Sequence, residues 1–355
     1  MTAYRSVLFS VIGALLASLP LKAEPTKFTE HGVILQYHHV STSMPASTSI
    51  SPEDFERHMA YLDEHHQVIP LKVMVELLQD GQPLPPKAVA ITFDDGYRNI
   101  LDNGHPILKE YDFPYTIFIN PALIGTSHQQ LDWKQVKAMA KENVTFANHT
   151  TDHRHLLARQ DGESQQAWLN RVSEDLIAAE RQIEQQLGYS LNYLAYPYGE
   201  FNQDIQALIE EMGYVGFGQH SGAIASYSDF TALPRYPAAG NYSNLNTLKL
   251  KLNSLAMPIT SEPPKAALAH QHSAPEWSIT LDLSDIRPHQ FACYFGGDTL
   301  SLKWQEEQVQ ISLPESLSPG RSRVNCTAPS KRDHTRYYWY SQPFFVPTAD
   351  GRWLD

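Results

Sequence analysis

The chain has 355 residues, with 27 Lys or Arg against 39 Asp or Glu and a formal net charge of −12. A hydrophobic share of 42% can build a core, which excludes a disordered chain, and the length argues for two domains. The acidic balance excludes nucleic acid as a partner, since phosphate binding needs a basic surface. The two cysteines exclude a disulfide-dense scaffold and a cysteine-rich metal cluster.

Residues 1–23 read as an export signal: Arg5 precedes the apolar run Val7 to Ala17, and Pro20 and Ala23 close it. The run is too short for a comfortable membrane span, and no second run of spanning length follows. The mature chain is therefore expected to carry no integral membrane span. Its expected location is periplasmic or extracellular, with membrane association if the signal is not cleaved.

Residues 24–256 alternate short apolar runs with helical patterns. Val33 to Tyr37, Ala88 to Phe93, Tyr115 to Ile119, Val144 to Ala147, Tyr193 to Tyr196 and Tyr214 to Phe217 read as strands. Their continuous apolar character is that of strands buried on both faces. Ser51-Pro52-Glu53-Asp54 predicts a helix start, with Phe55, Met59 and Leu62 on one face. Trp168, Leu169, Val172, Leu176 and Ile183 predict a long helix that stops at Gly188. Ile205 to Met212 predicts another. Strands alternating with helices predict a parallel sheet, open or closed into a barrel. Residues 257–276 are rich in proline and read as a linker. From 277 to 355 the period switches to two, as in Ile279, Leu281 and Leu283 or Val309 and Ile311, which predicts a small antiparallel β domain, sandwich-like. Cys293 and Cys326 both fall there and are expected to form one disulfide.

Three segments at predicted strand ends carry chemistry. Parallel α/β folds build their sites at the carboxyl ends of strands. Thr92-Phe93-Asp94-Asp95-Gly96-Tyr97 places two carboxylates there, although Asp and Gly are also ordinary turn residues. Asn148-His149-Thr150-Thr151-Asp152-His153-Arg154-His155 follows another strand. On a helical turn, His149 and His153 would share one face. Two His and a carboxylate are a common ligand set for a catalytic zinc that keeps an open position. Tyr196-Pro197-Tyr198-Gly199 is the third; a rigid Tyr198 backbone N–H there is a candidate oxyanion donor. Trp133, in Leu131-Asp132-Trp133, reads equally as a pocket wall or as a buried helix-start aromatic.

Together these segments resemble the polysaccharide deacetylases with a NodB-homology domain, carbohydrate esterase family four. The likeness covers residues 30 to about 255. Leu35-Gln36-Tyr37-His38-His39 and Pro85 to Thr92 look like the poly-N-acetylglucosamine deacetylase branch. The resemblance implies a distorted (β/α)7-type barrel and hydrolysis of N-acetyl groups on an N-acetylglucosamine-containing polysaccharide, releasing acetate. It implies a divalent metal, zinc by custom, on Asp95, His149 and His153, with Asp94 as general base. Tyr97 and Trp133 are the candidate substrate contacts. Two positions depart from the family pattern. Where many members carry an Arg that pairs with the base, this chain has Ala195, and Arg235 is the candidate replacement. The family's late Leu-x-His motif has no counterpart in Leu245 to Pro258, which leaves His220, His38 and His39 as candidate general acids. Leu268-Ala269-His270 has the letters of that motif but falls in the linker. A glycan-binding protein without activity, and a deacetylase of peptidoglycan or of a small acetylated sugar, remain alternatives. The aromatics Tyr337 to Tyr340 of the β domain read as core residues or as sugar contacts, and the oligomeric state is left open.

Overall fold

A computed structural model describes residues 30–262, 264, 266–267, 277–313 and 316–354. The export signal and Leu268-Ala269-His270 lie outside the described residues. Among the described residues, no helix is long and apolar enough to cross a membrane.

The apolar runs form one curled sheet. Its strands β1 (His31–Tyr37), β2 (Ala88–Phe93), β3 (Tyr115–Ile119), β4 (Val144–Asn148), β5 (Tyr193–Ala195) and β6 (Val215–Phe217) lie side by side in chain order, all parallel. Every residue of β1, β2 and β3 is buried, as expected when both sheet faces are covered. The chain then comes back on itself. Leu233 bridges Phe217 at the end of β6, and β7 (Tyr236–Pro237) pairs parallel with Leu35 and Gln36 of β1. This return brings residues 233–237 beside the start of the sheet.

The helices begin and end where capping chemistry places them. Ser51 caps α1 (Pro52–His65) by accepting the Asp54 N–H, and Phe55, Met59 and Leu62 are buried. Asp132 and Gln135 make a reciprocal capping box on α4 (Trp133–Met139), the fourth helix after α2 (Leu71–Gln79) and α3 (His105–Glu110). The long helix α5 (Gln165–Leu187) stops at Gly188, whose φ of 80° suits a residue without Cβ. Helices α6 (Gln203–Glu211) and α7 (Leu245–Leu252) follow.

The C-terminal region holds two sheets. One pairs β8 (Ser254–Ala256), β14 (Tyr337–Val346), β13 (Gly320–Pro329) and β10 (Ala292–Phe295), with Asp298–Thr299 at the edge. The other pairs β9 (Trp277–Thr280), β12 (Gln308–Ser312) and β11 (Ser301–Gln305). Between them lies a core that includes Trp277, Ile279, Val309, Ile311, Val324 and Phe344. Cys293 and Cys326 stand directly opposite each other on β10 and β13 and are bonded, S–S 2.02 Å. Such a staple is worth about 3–4 kcal/mol on the loop-closure model.

The structure differs from the sequence reading at the boundary. Ser254–Ala256, read as the end of the barrel, is an edge strand of the C-terminal sheet and runs parallel to Tyr337–Trp339, so that sheet is not purely antiparallel. The described linker residues are also laid against this domain: Ile259 bridges Leu281, Ala267 bridges Phe345, and Gln342 donates to the Pro264 carbonyl. An uncovered sheet edge and buried backbone groups both need partners, and these segments supply them.

Candidate metal centre and active site

Asp94 leaves β2 still paired, its N–H donating to the Tyr37 carbonyl at 3.0 Å. The next two residues, Asp95 and Gly96, are left-handed, with φ of 71° and 68°. That reversal sends two adjacent carboxylates to different partners.

Asp94 is fully buried and is gripped from below. Arg235 donates to Oδ1 at 2.7 Å and to Oδ2 at 2.8 Å, and Gln36 donates to Oδ2 at 2.7 Å. Arg235 is itself fully buried and also donates to the Gly218 carbonyl and the Thr92 hydroxyl. Three of the roughly four acceptor positions of the carboxylate are thus taken. Burial pulls the Asp94 carboxyl up. The Arg235 guanidinium, with His149 and His38, outweighs it and holds the group at about 2. Asp94 is therefore ionised at neutral pH.

Asp95 faces the histidines. Its Oδ1 lies 3.2 Å from His149 Nε2 and 3.3 Å from His153 Nε2, and one ligand atom from each residue falls within 4.8 Å of the others. His149 Nδ1 is 2.7 Å from the Ala195 carbonyl. That carbonyl can only accept, so Nδ1 carries the proton and Nε2 presents its lone pair to the cluster. Asp95 Oδ1 and His149 Nε2 are both buried without a hydrogen-bond partner. Two orphaned acceptors facing each other are costly unless a cation lies between them, so the donor set fits a divalent metal.

The segment between the histidines is not a helical turn. Thr150 and His153 are left-handed, with φ of 68° and 64°, and the Thr150 hydroxyl accepts the His153 N–H at 3.1 Å. Asn120 donates to the carbonyls of His149 and Thr150 from the end of β3. The rings converge because a bent loop is held in place, at a strain of about 1–3 kcal/mol per left-handed residue.

Pro197–Gly199 forms a tight turn beside this cluster. Tyr198 has φ 56° and Gly199 φ 72°, and a Cβ on Gly199 would come within 2.7 Å of Gln219 Cβ. The Tyr198 ring stacks on His155 at 4.0 Å and meets His153 edge-on at 4.5 Å. His155 is held by the buried Glu200, 2.9 Å from Nδ1. The Tyr198 carbonyl accepts from Arg321 of the β domain at 2.8 Å.

The remaining sequence candidates fall as follows. His38 Nε2 lies 3.8 Å from Asp94 Oδ2. His39 stacks on Tyr97 at 3.8 Å, and burial, with His38, pushes it down to about 4. His220 lines the groove next to the turn, but burial and the guanidiniums of Arg323 and Arg235 push it down to about 3. At neutral pH it is the uncharged imidazole, which is not a general acid. Tyr97 is half-buried, and burial followed by the Asp95 carboxylate raises its hydroxyl. Trp133 is a half-buried helix-start residue packed against the barrel core. It stands near the metal turn because Leu131 donates to the Gly96 carbonyl at 3.0 Å. Sequence reasoning missed Gln36, Glu200 and Arg321. Gln36 had a visible signal, a lone amide inside an apolar strand; the other two had none.

A family model described as polysaccharide deacetylase matches residues 81–217. The protein named "Putative polysaccharide deacetylase YxkH" of Bacillus subtilis (strain 168) is 31% identical over 207 residues, 57% of this chain and 69% of that protein. Poly-beta-1,6-N-acetyl-D-glucosamine N-deacetylase of Staphylococcus aureus (strain MRSA252) is 28% identical over 206 residues, 56% of this chain and 71% of that protein. Among solved structures, the Streptococcus pyogenes deacetylase PplD in complex with acetate superposes with a TM-score of 0.55 at 23% identity, covering 62% of this chain and 97% of that one. IcaB from Ammonifex degensii gives a TM-score of 0.55 at 21% identity, covering 63% and 97%. These two share the fold. With the curled sheet, the Asp-His-His cluster and these relatives in view, the chain belongs to the polysaccharide deacetylase family.

Proposed function

We propose that this protein hydrolyses the acetamido group of N-acetylglucosamine units in an exported or surface polysaccharide, releasing acetate and leaving a free amine. The observation that carries this reading is the pairing of one clamped carboxylate, Asp94, with a neighbouring three-residue cluster whose donor atoms lack partners. A divalent metal, zinc by the two-His-one-carboxylate set, would be held by Asp95, His149 and His153; when bound it polarises the carbonyl and makes water acidic enough to attack at neutral pH.

The chain's own residues supply the rest. Asp94, ionised and fixed by Arg235 and Gln36, takes a proton from the attacking water through its remaining acceptor position. A carboxylate held this low is a weak base, so its contribution is position more than strength. The Tyr198 N–H, on a turn made rigid by Pro197 and Gly199, would stabilise the oxyanion. His38, whose Nε2 lies 3.8 Å from Asp94 Oδ2, would protonate the departing nitrogen. The water supplies the oxygen that becomes part of acetate, and its two protons end on the nitrogen, which leaves as an ammonium.

Arg235 reaches the Asp94 carboxylate from the approach to β7, so Ala195 in place of the family's Arg does not argue for a non-catalytic glycan binder. The disulfide accords with an exported protein. Acetate release from poly-β-1,6-N-acetylglucosamine, chitooligosaccharides and peptidoglycan with added zinc tests the reading. Turnover on at least one N-acetylglucosamine glycan is expected. Bound zinc without acetate release from any of them would overturn it in favour of a binder.

A further inference from the structure

A groove of about 440 Å³ lies beside the metal centre: Gln36 and His38, which face Asp94, and Tyr198, whose ring meets His153, line one side, and the β domain closes the other. Arg321 and Arg323 line it. They stand two apart on β13, so both side chains leave the same face of the strand. Arg321 is exposed and donates to the Tyr198 carbonyl. Arg323 is half-buried and donates to the Tyr242 hydroxyl, with its guanidinium 5.5 Å from the centre of that ring. The Lys251 ammonium lies 4.5 Å from the same ring. Each guanidinium commits one of its five N–H donors to these contacts.

Among the described residues no Asp or Glu lines this groove, and neither arginine has an ion-pair partner there. Asp94, buried behind Gln36 and His38, is already matched by Arg235. An acid-free lining with two arginines is unexpected in a chain of net charge −12. Charges are screened within about 8 Å at physiological ionic strength, so the local guanidiniums set the potential here and the distant acids do not. Guanidiniums recognise carboxylates through paired, charge-assisted hydrogen bonds. They also repel the ammonium of a deacetylated unit.

We propose that this groove is an anion subsite, which takes a carboxylate on the sugar next to the reacting N-acetylhexosamine. The substrate is then an acidic heteropolymer, its carboxylate borne by a uronic acid or by a lactyl ether, and the β domain is the part of the enzyme that selects it. The inference rests on the deacetylase reading and narrows its substrate.

The test uses the full-length, zinc-loaded protein and three oligomers of equal length: N-acetylglucosamine alone, N-acetylglucosamine alternating with glucuronic acid, and N-acetylglucosamine alternating with N-acetylmuramic acid. The expected result is a kcat/KM at least about tenfold higher on a carboxylate-bearing oligomer, the worth of one charge-assisted hydrogen bond, carried mainly by KM. The advantage should shrink as salt is raised and be lost in Arg323→Gln. Which acidic oligomer wins names the source of the carboxylate. Equal or better turnover of the neutral oligomer, or an advantage that Arg323→Gln leaves intact, overturns the proposal. Calorimetric binding of the same oligomers to Asp94→Asn protein, with and without Arg323→Gln, reads the subsite without turnover. A carboxylate preference in binding supports the subsite even if no acetate is released, an outcome that would defeat the deacetylase reading alone; no preference in binding overturns the subsite.

Discussion

Arg235 and Asp94, 141 residues apart in sequence, meet as a fully buried bidentate pair, with N–O distances of 2.7 and 2.8 Å. Neither side chain is exposed to bulk solvent, so each charge needs the other. The pair also sets how the Asp94 carboxylate is aimed: a planar fork fixes its plane as well as its position.

Arg235→Ala should strand a buried carboxylate and destabilise the protein by about 3–5 kcal/mol. Arg235→Lys keeps the charge but loses the fork, and should lower kcat by on the order of 10²-fold with a smaller loss of stability. Urea unfolding and steady-state kinetics on both variants check this. Equal stability and activity in Arg235→Lys would mean that charge alone matters.

Metal binding and turnover should separate by residue. His149→Ala removes a ligand and should abolish stoichiometric zinc. Asp94→Asn should retain zinc and lose about 10²–10⁴ in kcat, the usual worth of a positioned base. Metal content by mass spectrometry beside acetate release decides it; zinc retained in His149→Ala would refute the ligand assignment.

Two glycines provide a paired control. Gly199 and Gly188 are both left-handed, with φ of 72° and 80°, but only Gly199 is crowded, by Gln219. Gly188→Ala should cost about 1 kcal/mol of stability and leave turnover alone. Gly199→Ala must displace the Tyr198 turn, and should cost activity far beyond its effect on stability. Thermal melts with kinetics on both variants make the comparison.

Stability should fall with acid before any carboxylate titrates. Burial pushes His66 down to about 4, and its Nε2 is buried without a partner. The unfolded chain then binds a proton below about 6.5 that the folded chain refuses, so stability is lost as pH falls from there toward 4. At pH 5 this one group costs about 2 kcal/mol relative to pH 8. His66→Gln should therefore lose stability less steeply than wild type over that range, as read from denaturation midpoints at several pH values.

Much of the site was legible in the sequence because its parts are local. A buried apolar strand followed by Asp94-Asp95-Gly96, another followed by His149, and a third followed by Pro197-Tyr198-Gly199 mark the strand ends where parallel folds build sites. The loop from His149 to His153 was legible as a ligand pair but not as a shape. Spacing suggested a helical turn, whereas the Thr150 hydroxyl and Asn120 hold two left-handed residues instead. His220 follows a strand as an acid might, yet its burial, with the nearby guanidiniums, keeps it neutral, and neither can be read from neighbours in sequence.

The sequence by itself determined which strands are buried on both faces, where the helices start and stop, and which residues stand at the strand ends, since all of these follow from side-chain period and capping over a few residues. Only the tertiary structure decided that Arg235 reaches Asp94 and that Arg321 reaches Tyr198 across 123 residues. The first contact depends on the curl of the sheet, which returns residues 233–237 to β1. The second depends on the β domain docking beside the turn. Both are set by how whole elements pack, and a local pattern of residue types carries no record of that.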